Sequence, residues 1–213
     1  MKVFVYGAGG HGKVVADIIL AAGEHEVLGL FDDNVALHGA TVMDLSVIGG
    51  REEMKRESAR GKVGVALGIG NNGLRQRVAE SCAALGVEII KAIHPSAVIS
   101  PSAQTGAGTV VMAGAVVNPC AQLGLAVIVN SGAVIEHDVF VGDYAHVSPN
   151  AVMGGESRLG MLSHLGLGAV LLPGIVIGNR TIIGAGAVVT REMPDDVIAA
   201  GVPARVRGSA SDR

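Results

Sequence analysis

Glu136, His137 and Asp138 place a histidine between two carboxylates. A neutral imidazole whose far nitrogen is held by a carboxylate is oriented and made more basic, which suits a general base near neutral pH. A second group of residues suits an anion. Gly7, Gly9 and Gly12 satisfy G-x-G-x-x-G, in which glycine lets the backbone approach a phosphate and a following helix N-terminus offers free N–H groups. Asp32 and Asp33 lie about 20 positions on, the separation at which an acid accepts hydrogen bonds from a ribose or base. Each group also has a plainer reading: a tight turn that binds nothing, and an exposed histidine with incidental acidic neighbours. Cys82 and Cys120 form no disulfide framework, fit a reducing compartment, and are not placed to act as nucleophiles.

The elements that must hold these residues differ between the two halves of the chain. Residues 2–6 (KVFVY) are strand-like and run straight into GAGGHG. KVVADIILAAG then carries apolar residues at helical spacing up to Gly23, and EVLGLFDDN is a second strand ending at Asp32 and Asp33. KVGVALGIGNN adds a strand ending near Gly70, and LRQRVAESCAALG a further helix. This is a Rossmann-like βαβ arrangement with a parallel sheet over residues 1–90. A dinucleotide fold needs two such halves, and one is present, so a single nucleotide fits better than NAD.

From residue 93 a strict period of six takes over, with every sixth residue from Ile93 to Val189 aliphatic or Met except Thr105. Two positions before each of these, Ala, Ser or Thr fill thirteen of sixteen places between Ala97 and Ala187. Neither the helical period nor the simple strand period gives a strict six, and no insertion breaks the register. Such a unit forms one flat face of a β-solenoid, and three faces make a coil of 18 residues. Coils stack about 4.8 Å apart, so residues 18 apart lie one above another.

His137 therefore falls at a corner beneath Gly155, whose N–H would face a developing oxyanion. His146 lies on a face beneath His164, where it would contact a ligand along the coils or serve as a surface or subunit-interface histidine. His94, before Pro95, reads as structural. A zinc site would need three converging imidazoles, and these histidines are spread over corner and face, so no metal is expected.

Composition narrows the remaining classes. Hydrophobic residues make up 49% of the 213 residues and charged ones 16%, which excludes a disordered chain. Aromatics are 2%, so the core is aliphatic, and 32 glycines suggest many tight corners. A net charge of −3 leaves no footprint for nucleic acid or an anionic membrane. Mean hydropathy is +0.49, yet every apolar run is broken well short of the ~20 residues of a spanning helix. The N-terminus enters a glycine loop at once, unlike a signal peptide, so a cytoplasmic location is expected.

The repeat resembles that of hexapeptide-repeat acyltransferases, which form left-handed parallel β-helices and usually trimerise. Over residues 2–207 the chain resembles the NeuD/PglD-type sugar acyltransferases. The motifs are GAGGHGKVV at 7–15, FDD at 31–33, GIGNN at 68–72, IHPSAVISPSA at 93–103, VNSGAVIEHD at 129–138 and GVPAR at 201–205. Pro149, Asn150 and Met153 are small departures from the repeat. The resemblance implies a nucleotide-sugar-binding domain at 1–90 and a left-handed β-helix of hexapeptide repeats at 91–213. Gly9, Gly10 and His11 would meet the diphosphate, Asp32 and Asp33 the nucleoside, and Gly70 the substrate. His137 would be the general base and Asp138 the acid that raises its basicity. His146, Leu167 and Ala185 would contact acetyl-CoA, and Asn130 would orient the acceptor.

These readings imply a homotrimeric, acetyl-CoA-dependent N-acetyltransferase acting on a nucleotide-linked amino sugar, foremost a UDP-4-amino-4,6-dideoxy-N-acetylhexosamine. GDP-perosamine and dTDP-4-amino sugars are alternative acceptors. O-acetylation of a sialic acid and an NAD-dependent oxidoreductase are alternative activities.

Overall fold

In the computed structural model, which describes residues 1–210, Val3, Phe4, Val5 and Tyr6 of β1 (Lys2–Tyr6) are all buried. A strand buried on both faces is the mark of a parallel sheet covered by helices. β1 leads through the glycine loop into α1 (Gly10–Ala22), which buries Gly12, Val15, Ala16, Ile18 and Ile19 against the sheet. α1 stops at Gly23, whose left-handed backbone (φ 68°) lets its N–H reach the Ile19 carbonyl. The helix begins at Gly10, three residues before the apolar pattern suggests, because the glycine loop itself turns helical.

β2 (Glu26–Phe31), a hairpin of β3 (Thr41–Val42) and β4 (Leu45–Gly49), α2 (Arg51–Arg60), β5 (Gly64–Leu67), α3 (Asn72–Ala84) and β6 (Glu88–Ile89) complete the first of two units, Met1–Pro95. Its strand order is β3-β4-β2-β1-β5-β6, parallel throughout except the β3–β4 hairpin. The chain winds outward from β1 in one direction through β2 and in the other through β5. The winding reverses between β1 and β5, and open α/β sheets bind ligands in a crevice at the carboxyl ends of the strands beside such a point.

The second unit, from Ser96 onward, is a left-handed parallel β-helix. Its strands are two residues long and fall into three stacks. Face I runs from Val98–Ile99 to Val188–Val189, face II from Gln104–Thr105 to Val176–Ile177, and face III from Val110–Val111 to Ile182–Ile183. Register is offset by one 18-residue coil, as in Val116 against Val134, Phe140 against Arg158 and Ile128 against His146. The period-six aliphatics line the interior: Val129, Ile135, Val141, Val147 and Met153 have no exposed surface. The small residues two places earlier, such as Ala133, Ala145 and Ala151, are equally buried and leave room for them. A hairpin of Val197–Ala200 and Arg205–Ser209 continues face III, its first strand parallel to Ile182–Ile183.

Glycine after the aliphatic residue recurs once per coil at Gly106, Gly124, Gly142, Gly160 and Gly178, all at the corner between faces II and III. A Cβ on any of these would run into the next coil, so glycine there allows close stacking. The left-handed turn falls two residues later, at Tyr144 (φ 58°) and Leu162 (φ 59°) in this corner.

Candidate active site

Residues 7–12 and 68–72 meet at the crevice end of β1 and β5. Gly7, Gly12 and Gly68 are required for packing, because a Cβ on any of them would meet the backbone of its neighbours here. Gly9 and Gly10 differ: both are exposed and nothing lies within 4 Å of where a Cβ would stand. Packing does not demand glycine at these two positions, whereas close approach of a ligand to the backbone would. No side chain caps the N-terminus of α1, which leaves its first N–H groups without a side-chain acceptor at the cap.

His11 sits beside Gly70, where a Cβ would lie 3.8 Å from that of His11. Burial, reinforced by the nearby Arg75 guanidinium, pulls the His11 imidazole down to about 4, and its Nε2 is buried. His11 is therefore neutral at physiological pH and offers an anion no positive charge. Asp32 accepts from the Ala8 N–H (2.8 Å) on one oxygen and the Asn34 N–H (2.8 Å) on the other, tying the glycine loop to the end of β2. Asp33 accepts from the buried Tyr6 hydroxyl (2.6 Å) and the Arg51 N–H (3.2 Å), with the Arg51 guanidinium 3.9 Å away. Both aspartates thus shape the crevice rim through bonds within the protein.

Arg75, fully buried in α3, is a residue that sequence reasoning missed. Its guanidinium donates to the carbonyls of Ile69 (3.0 Å) and Gly70 (3.2 Å) and to Asn72 Oδ1 (2.9 Å), fixing the loop that carries Gly70. In LRQRVAESCAALG it looks like any surface charge on a helix.

In the β-helix, His137 lies at the corner between faces I and II. Adjacent side chains on a strand point to opposite sides, but the left-handed backbone at Asp138 (φ 59°) turns the chain so that the two converge. His137 Nδ1–H donates to Asp138 Oδ2 at 2.9 Å, leaving Nε2 as the basic nitrogen of the neutral ring. That bond, with the nearby carboxylates of Glu136 and Glu156, raises the imidazole above its ordinary value. A Cβ at Gly155, one coil on, would stand 2.6 Å from both Cε1 and Nε2, so the ring lies where only glycine admits it. The corner column reads Pro101, Pro119, His137, Gly155 and Pro173. Three of the five have no N–H, and the Gly155 N–H donates to no acceptor among the described residues.

His146 and His164 are on face III with rings stacked at 4.6 Å and inclined by 4°. Asn130 Oδ1 accepts from the Ser131 N–H, so its amide nitrogen is the group that donates to His146 Nε2 (3.0 Å). One coil on, Ser148 Oγ and His164 Nε2 pair in the same way at 2.6 Å. The structure thus brings Asn130 to His146. Leu167, 58% exposed, and Ala185 stack at the corner between faces III and I. Neither of their N–H groups donates to an acceptor among the described residues. Within one chain, His137 and the His146, Leu167 and Ala185 group occupy different edges of the coil.

Burial raises the Cys82 thiol to about 11, so it stays protonated, and Cys120 is exposed. Among the described residues no three His, Cys, Asp or Glu side chains are grouped to hold a metal ion. No described helix is long and apolar enough to cross a membrane.

Residues 2–82 match the family described as PglD N-terminal domain. Over 113 residues the chain is 38% identical to the UDP-N-acetylbacillosamine N-acetyltransferase of Bacillus subtilis (strain 168), a match that spans 53% of this chain and only 51% of that relative. The structure superposes on PerB from Caulobacter crescentus, solved with CoA and GDP-perosamine, with a TM-score of 0.92, 38% identity and 98% of each chain covered. The acetyltransferase domain of PglB from Neisseria gonorrhoeae FA1090, solved with acetyl coenzyme A, gives 0.91 and 37% identity, covering 97% of this chain and 98% of that one. Matched by the family over residues 2–82 and similar to these solved proteins along almost its whole length, the chain is a member of the NeuD/PglD-type sugar acyltransferases.

Proposed function

We propose that the protein is an acetyl-CoA-dependent N-acetyltransferase acting on the amine of a nucleotide-linked amino sugar. The observation that carries this reading is His137, held through Nδ1 by Asp138 with Nε2 against Gly155. His137 Nε2 accepts the proton of the acceptor nitrogen as that nitrogen attacks the thioester carbonyl. The Gly155 N–H stabilises the oxyanion that forms, and CoA departs as the thiol. No covalent enzyme intermediate is required, and much of the rate comes from holding two substrates in register.

Leu167 and Ala185 supply an apolar edge with open N–H donors, which suits the amide-bearing pantetheine arm, and His146 lies on the adjoining face. These residues and His137 occupy different edges of one coil, so a complete site takes His137 from one chain and the acetyl-CoA edge from another. A homotrimer with its sites between neighbouring β-helices satisfies that requirement. In the first unit, Gly9, Gly10 and the α1 N-terminus receive the diphosphate, and the rim built on Asp32 and Asp33 receives the nucleoside.

UDP-N-acetylbacillosamine and GDP-perosamine appear with relatives of the same identity, so two acceptor readings stand: a UDP-linked 4-amino sugar, and GDP-perosamine. Acetyl transfer from acetyl-CoA to each, with a dTDP-linked amino sugar and a sialic acid alongside, separates them. Transfer to one nucleotide-linked amine is the expected outcome. Transfer to sialic acid alone, or thermal stabilisation by NAD and not by CoA, would reject the proposal.

A further inference from the structure

Three carboxylates surround His137, and only Asp138 is bonded to its ring. Glu156 is the one on the neighbouring coil. It stacks 18 residues after Asp138 in the column next to that of His137, follows the glycine that admits the imidazole, and donates its own N–H to the His137 carbonyl at 3.0 Å. Its side chain is exposed, and its left-handed backbone (φ 62°) is the corner turn also seen at Asp138 (φ 59°). Asp138 holds the ring through Nδ1, whereas Glu156 directly follows Gly155, the residue whose Cβ would stand against Nε2. Neither holding the imidazole nor binding acetyl-CoA requires a negative charge there.

We propose that Glu156 is a specificity-determining residue that selects a protonated amine as the acceptor. This rests on the N-acetyltransferase reading above. A sugar amine is largely an ammonium in water near neutral pH, and a carboxylate beside the base attracts it while a hydroxyl gains nothing. The protons then balance. The ammonium gives one proton to neutral His137, and the freed lone pair forms the C–N bond. As the C–S bond breaks, the second nitrogen proton leaves to make the CoA thiol, and His137 returns its proton to solvent. Glu156 stays ionised throughout, with Glu136 and Asp138 as the other charges facing the imidazole.

Steady-state kinetics of the wild type and Glu156→Gln test this. The substrates are the nucleotide-linked amino sugar that the wild type turns over and its counterpart with a hydroxyl in place of the amine. At low salt, Glu156→Gln should raise KM for the amine by about three-fold, the order that an exposed charge pair supports, and leave KM for acetyl-CoA unchanged. The gap should close near 1 M salt, where the screening length falls to about 3 Å. Inhibition by the hydroxyl counterpart should not change, the acid limb of the pH profile should move to lower pH, and Glu156→Asp should recover most of the wild-type KM. An unchanged amine KM, or an equal change for amine and hydroxyl, overturns the inference alone. A wild type that acetylates the hydroxyl compound as fast as the amine overturns both the inference and the reading beneath it.

Discussion

Two corners of the β-helix meet the same structural problem in opposite ways. Where faces II and III join, side chains close off the outward N–H groups at three levels. Asp143 accepts from the Leu125 N–H (2.7 Å), Asn179 from Met161 (2.9 Å) and Asp195 from Asn179 (2.8 Å). Gly124 and Gly178 make room for the first and last of these carboxylates. Where faces I and II join, proline removes the N–H at three levels, and the gap at Gly155 admits the imidazole of His137. One corner uses glycine to satisfy the backbone. The other uses it to leave a donor open beside a base.

If that contrast is right, the two corners should respond differently to substitution. The largest effect should come from His137→Ala, which should lower turnover roughly 10²–10⁴-fold with KM for acetyl-CoA nearly unchanged. A general base works when neutral, so wild-type activity should rise with pH through the His137 titration. Its bond to Asp138 favours the protonated ring, so that limb should sit above the ordinary histidine range. Asp138→Asn should move the limb down, and His137→Ala should abolish it. Most of the turnover surviving in His137→Ala with the limb intact would make the corner an ordinary one.

A paired substitution sharpens the comparison at intermediate size. Gly155→Ala would place a methyl with the imidazole as its nearest neighbour, so turnover should fall at least about ten-fold while the melting temperature changes little, as expected where the neighbour is a rotatable side chain. Gly124→Ala would meet the Asp143 backbone, its nitrogen at 2.8 Å, and should cost about 1–3 kcal/mol of stability with turnover preserved. Equal loss of activity in both would erase the distinction. The smallest effect belongs to Asp143→Ala, which frees one exposed N–H. It should cost about 1 kcal/mol, or ~2–4 °C in Tm by calorimetry, and leave kcat/KM as in the wild type.

The β-helix was legible because its period is unbroken: one aliphatic every six residues identifies faces, corners and the alignment of His137 with Gly155. The βαβ core was legible for a similar reason, as strand, glycine loop and helix follow one another without interruption. α2 was not, because REEMKRESAR buries only Met54 and carries almost no apolar period. The β3–β4 hairpin and the closing hairpin at Val197–Ser209 were also unread, being short and specified by pairing with distant strands. Within the site, Asn130 and His146 are 16 residues apart, two short of a full coil, so stacking arithmetic does not pair them. Arg75 was hidden because burial is a property of the packed loop and leaves no trace in the charge pattern.

The unbroken register has a consequence for how such a protein can change over generations. A single-residue insertion or deletion between His137 and Gly155 would turn buried aliphatics outward and carry the base away from its partner glycine at once. Length can vary there only in whole coils, by duplication or loss of 18 residues, the interval between paired positions such as Val134 and Val152. New acceptors must therefore be reached by substitution at fixed corner positions, or by remodelling the separately folded first unit, whose loops carry no such phase.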